Sequence, residues 1–357
     1  MMQFEVGKTY GGYEFLDTLG SSNMVLAYRV RNVLARRVEL LRILPPVLAS
    51  DQERMERFLR EIRVRARLVH PNIVTFYHAG ELEGQLIMTT ELVEGPTLME
   101  RLETGPMPWQ EATMMLAQTL AALDFAHANE IVHREVASSN IILTPDQLVK
   151  LSGFGLAKSI TDMQLTQVGA VVGDAKYMSP EQVKGISNLD GRSDIYSAGA
   201  VLYEAVTGSA PFGTKSHFDL MLAQVSTTPE RPSSLRPEIP ADLDRIIMTA
   251  LAKEPSQRFQ NAAEFRAALG RLTPEFHDTV ETPRRPAAVM AIASSYATTL
   301  QRDSASDKPA VPVPRLRPIA VPEQSGASQW SPLELTVAGA FLLATMAFLA
   351  FLTMSRW

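Results

Sequence analysis

The chain of 357 residues contains no cysteine. That single absence removes disulfides, thiolate metal sites and a cysteine nucleophile together, and it fits a reducing compartment. Basic charge is also short of what nucleic acid demands. There are 34 Lys and Arg against 39 Asp and Glu, a formal net charge of −5, and no basic stripe with interleaved aromatics appears. No nucleic-acid partner is expected. The opening stretch, MMQFEVGKTYGGYEF, has no basic start leading into an apolar run. It is not read as a secretory signal, and the body of the protein is expected to be cytoplasmic.

Long apolar runs are missing as well, until Leu335–Met354 (LTVAGAFLLATMAFLAFLTM), which holds 20 residues without a charge. At about 1.5 Å per residue such a run matches the roughly 30 Å hydrocarbon core of a bilayer. We expect a single transmembrane helix over residues 333–354, anchoring the protein in the cell membrane, with Arg356 and Trp357 suited to the interface. Between 273 and 332 the composition shifts to Pro, Ala, Ser and Thr, as in KPAVPVPRLRPIAVP. Such a stretch buries too little apolar surface to offset its ordering entropy, so it reads as a disordered linker.

Apolar residues at 46 % and charged residues at 20 % leave ample material for a globular body over residues 10–272. From Tyr13 to Ile43 the pattern is one of short alternating runs. In QERMERFLREIRVRARL, helical spacing puts Met55, Phe58, Leu59, Ile62 and Ala66 on one face, and His70 and Pro71 mark the stop. After Gly95 the signal turns helical. Leu116, Leu120, Leu123 and His127 follow a 3.6-residue period, and YSAGAVLYEAV is apolar nearly all round, as a buried central helix would be. The expected class is α+β, a small β-rich lobe over 10–93 followed by a larger α-helical lobe over 94–272.

Five stretches in order carry a resemblance: HREVASSNIIL (133–143), VKLSGFGLAK (149–158), KYMSPEQ (176–182), SDIYSAGAVLYE (193–204) and AKEPSQRFQNAAEF (252–265). Together they resemble the successive signatures of bacterial Ser/Thr protein kinases and cover the body from Tyr13 to Leu272. The resemblance implies a bilobal kinase-like fold with ATP and magnesium between the lobes. Cofactor contacts are implied at Gly20, Ala27, Leu40, Arg42, Glu61, Thr90, Glu91, Val93 and Ile142. Architectural roles are implied for His133, Phe154, Asp194 and the pair Glu181 and Arg258.

Phosphoryl transfer depends on placed charges more than on covalent chemistry, and several of those charges depart from the family pattern. The phosphate-covering loop, LGxGxxGxV in the family, reads LGSSNMVLA here. Gly20 is kept, but Ser22 and Val25 stand at the other glycine positions. A β-branched residue resists the φ values glycine permits, so the loop is expected to persist only as a hairpin. Arg42 replaces the phosphate-holding lysine, with Glu61 as its helix partner. It keeps the charge on a longer, forked group. Leu40 shares its strand face and stands where a small alanine roofs adenine. Ala27 replaces a valine opposite, and filling of the adenine slot is expected over binding.

In HREVASSN, Glu135 stands for the catalytic aspartate and Ala137 for the lysine that stabilises the transferred phosphoryl. Asn140 is kept as a catalytic-loop residue and metal ligand, but the metal aspartate thirteen residues on is Gly153, which supplies no oxygen. Asp174 takes the place of a threonine that contacts the catalytic loop, and would face Glu135 as a like charge. Thr161 and Thr166 read as ordinary loop threonines, with Arg134 available to hold a phosphate placed there by another kinase. Two functions remain open. One is a catalytically impaired, membrane-anchored Ser/Thr pseudokinase that acts on protein partners, an active kinase or its substrates. The other is a divergent active Ser/Thr kinase working with Glu135 and Asn140.

Overall fold

A computed structural model describes residues 4–22, 25–45, 51–154, 175–186, 188–213 and 216–272. All of them fall within the unit Met1–Thr282. The expected linker, the run Leu335–Met354, and Thr161, Thr166 and Asp174 lie outside the described residues. Among the described residues no helix is long and apolar enough to cross a membrane.

The first lobe is a six-stranded sheet. In chain order its strands are β1 (Thr9–Tyr10), β2 (Tyr13–Ser22), β3 (Val25–Asn32), β4 (Arg37–Leu44), β5 (Phe76–Leu82) and β6 (Gln85–Glu91). Their spatial order is β1-β2-β3-β4-β6-β5, every pair antiparallel. Alternation along β4 sorts its residues between two faces. Glu39, Leu41 and Ile43 are buried on one, Leu41 and Ile43 packing with Phe15, Tyr28 and Val30. Leu40 and Arg42, on the other, are half-buried.

Helix α1 (Gln52–Arg65) lies between β4 and β5 in the chain. Met55, Phe58 and Ile62 pack with Leu44 and Met88 as their spacing predicts, whereas Ala66 is exposed. The helix also ends at Arg65, short of His70 and Pro71. Its last turn tightens: Arg67 N–H donates to Val64 and Leu68 N–H to Arg65, which turns Leu68 and Ile73 into the core of the second lobe. Glu61 and Arg65 are buried on this helix, a placement that apolar periodicity does not register.

The second lobe contains α2 (Leu98–Leu102), α3 (Trp109–Ala128), the hairpin β7 (Ile141–Leu143) and β8 (Val149–Leu151), then α4 (Pro180–Val183), α5 (Gly191–Thr207), α6 (His217–Ser226), α7 (Pro232–Leu235), α8 (Ala241–Ala250) and α9 (Ala262–Gly270). Leu116, Leu120 and Leu123 of α3 pack into one core with Ile195 and Val201 of α5, Ile247 of α8 and Phe265 of α9. Helix α5 is buried almost throughout, capped by the Asp190 side chain at its start and by Gly208 at φ +83° at its end. Gly199 lets it meet α8 closely: a Cβ there would stand 2.6 Å from that of Ala250.

Glu181 of α4 and the distant Arg258 form a two-pronged ion pair, with Nη1 and Nη2 donating to the two carboxylate oxygens at 2.7 and 2.9 Å. Arg258 is fully buried and also donates to the carbonyls of Ala252, Arg192 and Lys253. Removing one partner of such a pair leaves an uncompensated buried charge. Arg258→Met is expected to cost about 3–5 kcal/mol in a denaturant titration, and a variant as stable as the parent would show the pair to be dispensable.

Candidate active site

The cleft-facing side of the sheet is set by strand register. Ala27 stands opposite Arg42, Arg42 opposite Met88, and Leu40 opposite Thr90. Directly opposed residues share a face, so Ala27, Leu40, Arg42, Met88 and Thr90 all lie on the side that carries α1, where Met88 packs with Phe58. The β2–β3 ladder runs to the pair Ser22 and Val25, and Gly20 sits at φ +108° beside a register shift. The expected hairpin is therefore present. At the end of β6 the Glu91 carboxylate accepts from Lys150 Nζ at 2.8 Å and from the amide and hydroxyl of Thr75, tying the sheet lobe to β8. Burial opposes ionisation of Glu91, but Lys150 and Thr75 together hold its carboxyl below the usual range. Val93 and Ile142 are half-buried, and Ile142 bridges to Thr97.

Arg42 Nη1 donates to Glu61 Oε1 at 2.6 Å. The pair expected from the sequence is formed. Sequence reading missed a second donor to the same oxygen, Arg65 Nε at 2.9 Å. The signal was there as Glu and Arg at i and i+4 in REIRVR, a spacing that normally describes a solvated pair.

The loop 133–140 is organised from below. Asp194, in the first turn of α5, accepts from the amides of His133 and Arg134 at 2.8 Å each and contacts His127 Nε2 at 2.7 Å. Arg134 adopts φ +65°, a left-handed conformation held by these bonds. His133 Nε2 donates to the carbonyl of Ser152 at 2.7 Å, while its Nδ1 accepts from the Glu135 amide at 3.2 Å. One ring nitrogen thus donates and the other accepts, as in a neutral imidazole. Burial pushes His133 below its ordinary value, Arg65 adds to this, and Asp194 and the Ser152 carbonyl oppose it. Its ring meets Phe154 edge-on at 4.4 Å. Beyond the loop, Ser138 Oγ and Glu204 Oε2 both bond the Tyr177 hydroxyl, at 2.7 and 2.5 Å.

Of the expected chemical residues, Glu135, Asn140 and Gly153 come together. Asn140 Nδ2 donates to the Glu135 carbonyl at 2.8 Å, and its own carbonyl accepts from the amide and hydroxyl of Ser152. Gly153 has φ +85°, and a Cβ added there would lie 2.8 Å from Asn140 Cγ and Nδ2. The Asn140 amide therefore occupies the space through which an acidic side chain at 153 would have to leave the backbone. Ala137 is buried and packs within the core of the helical lobe.

A sheet lobe joined to a helical lobe, with an Arg–Glu pair above and a His-to-Asn loop below anchored on a buried aspartate, defines a protein kinase fold. Residues 13–267 match the family model described as "Protein kinase domain". The chain belongs to the protein kinase family, alongside bacterial Ser/Thr kinases. It is 41 % identical over 266 residues to the serine/threonine-protein kinase PknB of Mycobacterium leprae, covering 73 % of this chain and 43 % of that one. The match to PknJ of Mycobacterium tuberculosis is 34 % over 272 residues, covering 74 % and 46 %. The chain thus spans less than half the length of these curated relatives. Among solved structures, the kinase domain of Mycobacterium tuberculosis PknI superposes with a TM-score of 0.59 at 29 % identity, covering 75 % of this chain and 99 % of that one.

Kinases of this family generally use ATP with magnesium. The residues here do not fit that metal. Gly153 offers no carboxylate, and the Asn140 amide fills the space beside it.

His127 provides a pH-dependent test of the anchor under the loop. Burial alone would lower its pKa, but the bond and charge of Asp194, with Asp124 and Asp190 behind, carry it above the ordinary value. Its contribution is complete below about pH 6.5 and is lost as pH rises through the raised folded value. His70, pushed down to about 4 by burial with Arg266 and Lys150 adding, acts in the opposite sense. The comparison of parent with His127→Gln isolates the first effect. The stability difference should be largest below about pH 6.5 and shrink toward alkaline pH; a difference independent of pH would show that the imidazolium contributes nothing.

Proposed function

We propose that this chain is a catalytically impaired Ser/Thr kinase-fold protein, a pseudokinase that presents a kinase-shaped surface to protein partners such as an active kinase or its substrates. The observation that carries this reading is the packing at Gly153, where no metal carboxylate exists and the Asn140 amide stands over the backbone. Ala137 supports it, because a buried alanine leaves that position without a cation for the transferred phosphoryl. Transfer needs several kcal/mol of placed charge stabilisation, and these positions supply none.

One arrangement favours the second reading, a divergent active Ser/Thr kinase. Arg42 and Glu61 are paired and Asn140 and Glu135 are held in one loop, so part of the ATP-handling apparatus is in place. Transfer of labelled γ-phosphate from magnesium ATP, to the protein itself or a model substrate, separates the two. No transfer above a Glu135→Ala control is expected. Transfer that disappears in Glu135→Ala would establish the active kinase.

The reading includes anchorage in the cell membrane by residues 333–354, with the kinase-like body in the cytoplasm and no nucleic-acid partner. Leu335–Met354 supports it as an uncharged run of 20 residues. A chain lacking residues 333–357 should move from the membrane pellet to the soluble fraction after a high-salt wash. If it still pellets while remaining folded, the anchor lies elsewhere.

A further inference from the structure

The hairpin joining β3 to β4 turns at residues 33–36 and carries Val33, Leu34 and Ala35 at its tip, all exposed. Leu34 is 93 % exposed, Val33 47 % and Val38, just past the turn, 38 %. Leu34 joins none of the packed apolar clusters among the described residues. The tip is nevertheless fixed. The Asn32 side chain accepts from the Ala35 amide at 3.0 Å, the Val33 amide donates to the Gly12 carbonyl at 2.9 Å, and Arg36 holds φ +51°, a left-handed conformation that a residue with a side chain enters only under constraint. An ordered turn thus presents an apolar side chain to the outside.

Charge of one sign surrounds this tip. Residues 29–38 (RVRNVLARRV) contain four arginines and no acid, in a chain whose formal net charge is −5. Arg31 pairs with Glu14 at 2.9 Å, and Arg37 pairs with the buried Glu39 and lies over the Tyr77 ring. Arg29 and Arg36 are exposed and form no ion pair among the described residues. Counting Glu14 and Glu39 against the four arginines leaves two positive charges at the base of an apolar tip.

An aliphatic point ringed by arginines suits a bilayer interface, where the aliphatic group enters the acyl boundary while the guanidinium groups stay at anionic headgroups. Shape and charge favour this over a protein contact between copies. The tip is convex and three residues wide, and a second copy of the chain would bring the same unpaired arginines against it, like charge against like. The proposed anchor, on which this inference rests, would keep the body beside a bilayer and make the hairpin's contact intramolecular. About 60 residues separate the body from the apolar run, a reach of up to about 200 Å when fully extended, so chain length lets any face of the body meet the surface.

We propose that the β3–β4 hairpin is a second membrane contact, in which Leu34 enters an anionic bilayer interface and Arg29 and Arg36 bind the lipid phosphates.

The absence of cysteine makes a site-specific test direct. Leu34→Cys and, as a reference on the helical lobe, Phe218→Cys, itself 69 % exposed, are labelled in the full chain with an environment-sensitive fluorophore. Each is reconstituted in vesicles of phosphatidylcholine, alone or with an equal share of phosphatidylglycerol, that carry nitroxide lipid as quencher. In anionic vesicles the label at 34 should be quenched about twofold more than that at 218, and the excess should fall by about half or more in phosphatidylcholine alone, at high salt, and in a chain also carrying Arg29→Gln and Arg36→Gln. A label at 34 quenched no more than that at 218, or an excess unchanged by the arginine substitutions, overturns the proposal. So does a label at 34 shielded equally in detergent without lipid, which would assign the hairpin to a protein contact. Flotation of the same vesicles keeps the two readings apart: chain that floats with the label at 34 in water overturns this inference and leaves the anchor standing, whereas chain that does not float overturns both.

Discussion

The arrangement depends first on the Asp194 carboxylate, buried at the start of the central helix. It accepts from two successive amides of the loop 133–140 and contacts the His127 ring. The amides belong to His133 and Arg134, and the second of these is in the left-handed region that a residue with a side chain enters at a cost. The aspartate offsets that cost with charge-assisted bonds in a low-dielectric setting. With the loop fixed there, the His133 ring is placed to donate to Ser152 and to pack on Phe154, which carries order from α5 into the turn after β8.

Charges that hold the fold and charges that would perform phosphoryl transfer behave differently along this chain. The first kind is intact: Asp194, Glu181 with Arg258, Glu91 with Lys150, and Glu61 with Arg42 are all formed. Each is buried or half-buried and satisfied by a partner, so losing one would leave an uncompensated group inside the protein. Positions 137 and 153 differ because the residues there carry no charge. Ala and Gly there leave no buried charge behind, and the neighbouring packing closes over them. Substitution at these two positions therefore costs the fold little, while its architectural ion pairs remain necessary.

The same packing bears on introducing charged groups at these two positions. An aspartate at 153 would have to adopt φ near +85° and displace the Asn140 amide, which is bonded to the Glu135 carbonyl. A lysine at 137 would have to leave a position enclosed by the helical lobe's core. Both changes act on one short loop, so their effects are coupled and single reversions are a poor guide to the combined variant.

Much of the architecture was legible in the sequence because it rests on periodicity and on motifs of fixed spacing. The two-lobe division and the buried central helix around YSAGAVLYEAV follow from patterns local to each segment, and so does the alternation that puts Leu40 and Arg42 together on β4, whereas the Glu181–Arg258 pair was implied only by the family resemblance. The absent carboxylate at Gly153 and the absent lysine at Ala137 are likewise facts of sequence. What the sequence left undecided depends on which distant groups meet. The end of α1 at Arg65, the burial of that arginine against Glu61, the Asn140 amide over Gly153 and the Lys150–Glu91 tie between lobes all involve polar side chains whose burial no hydrophobic pattern announces. Apolar residues declare their positions by spacing because burial is their own driving force. A charged residue is buried only when folding supplies its partner, and that partner is chosen by the tertiary structure alone.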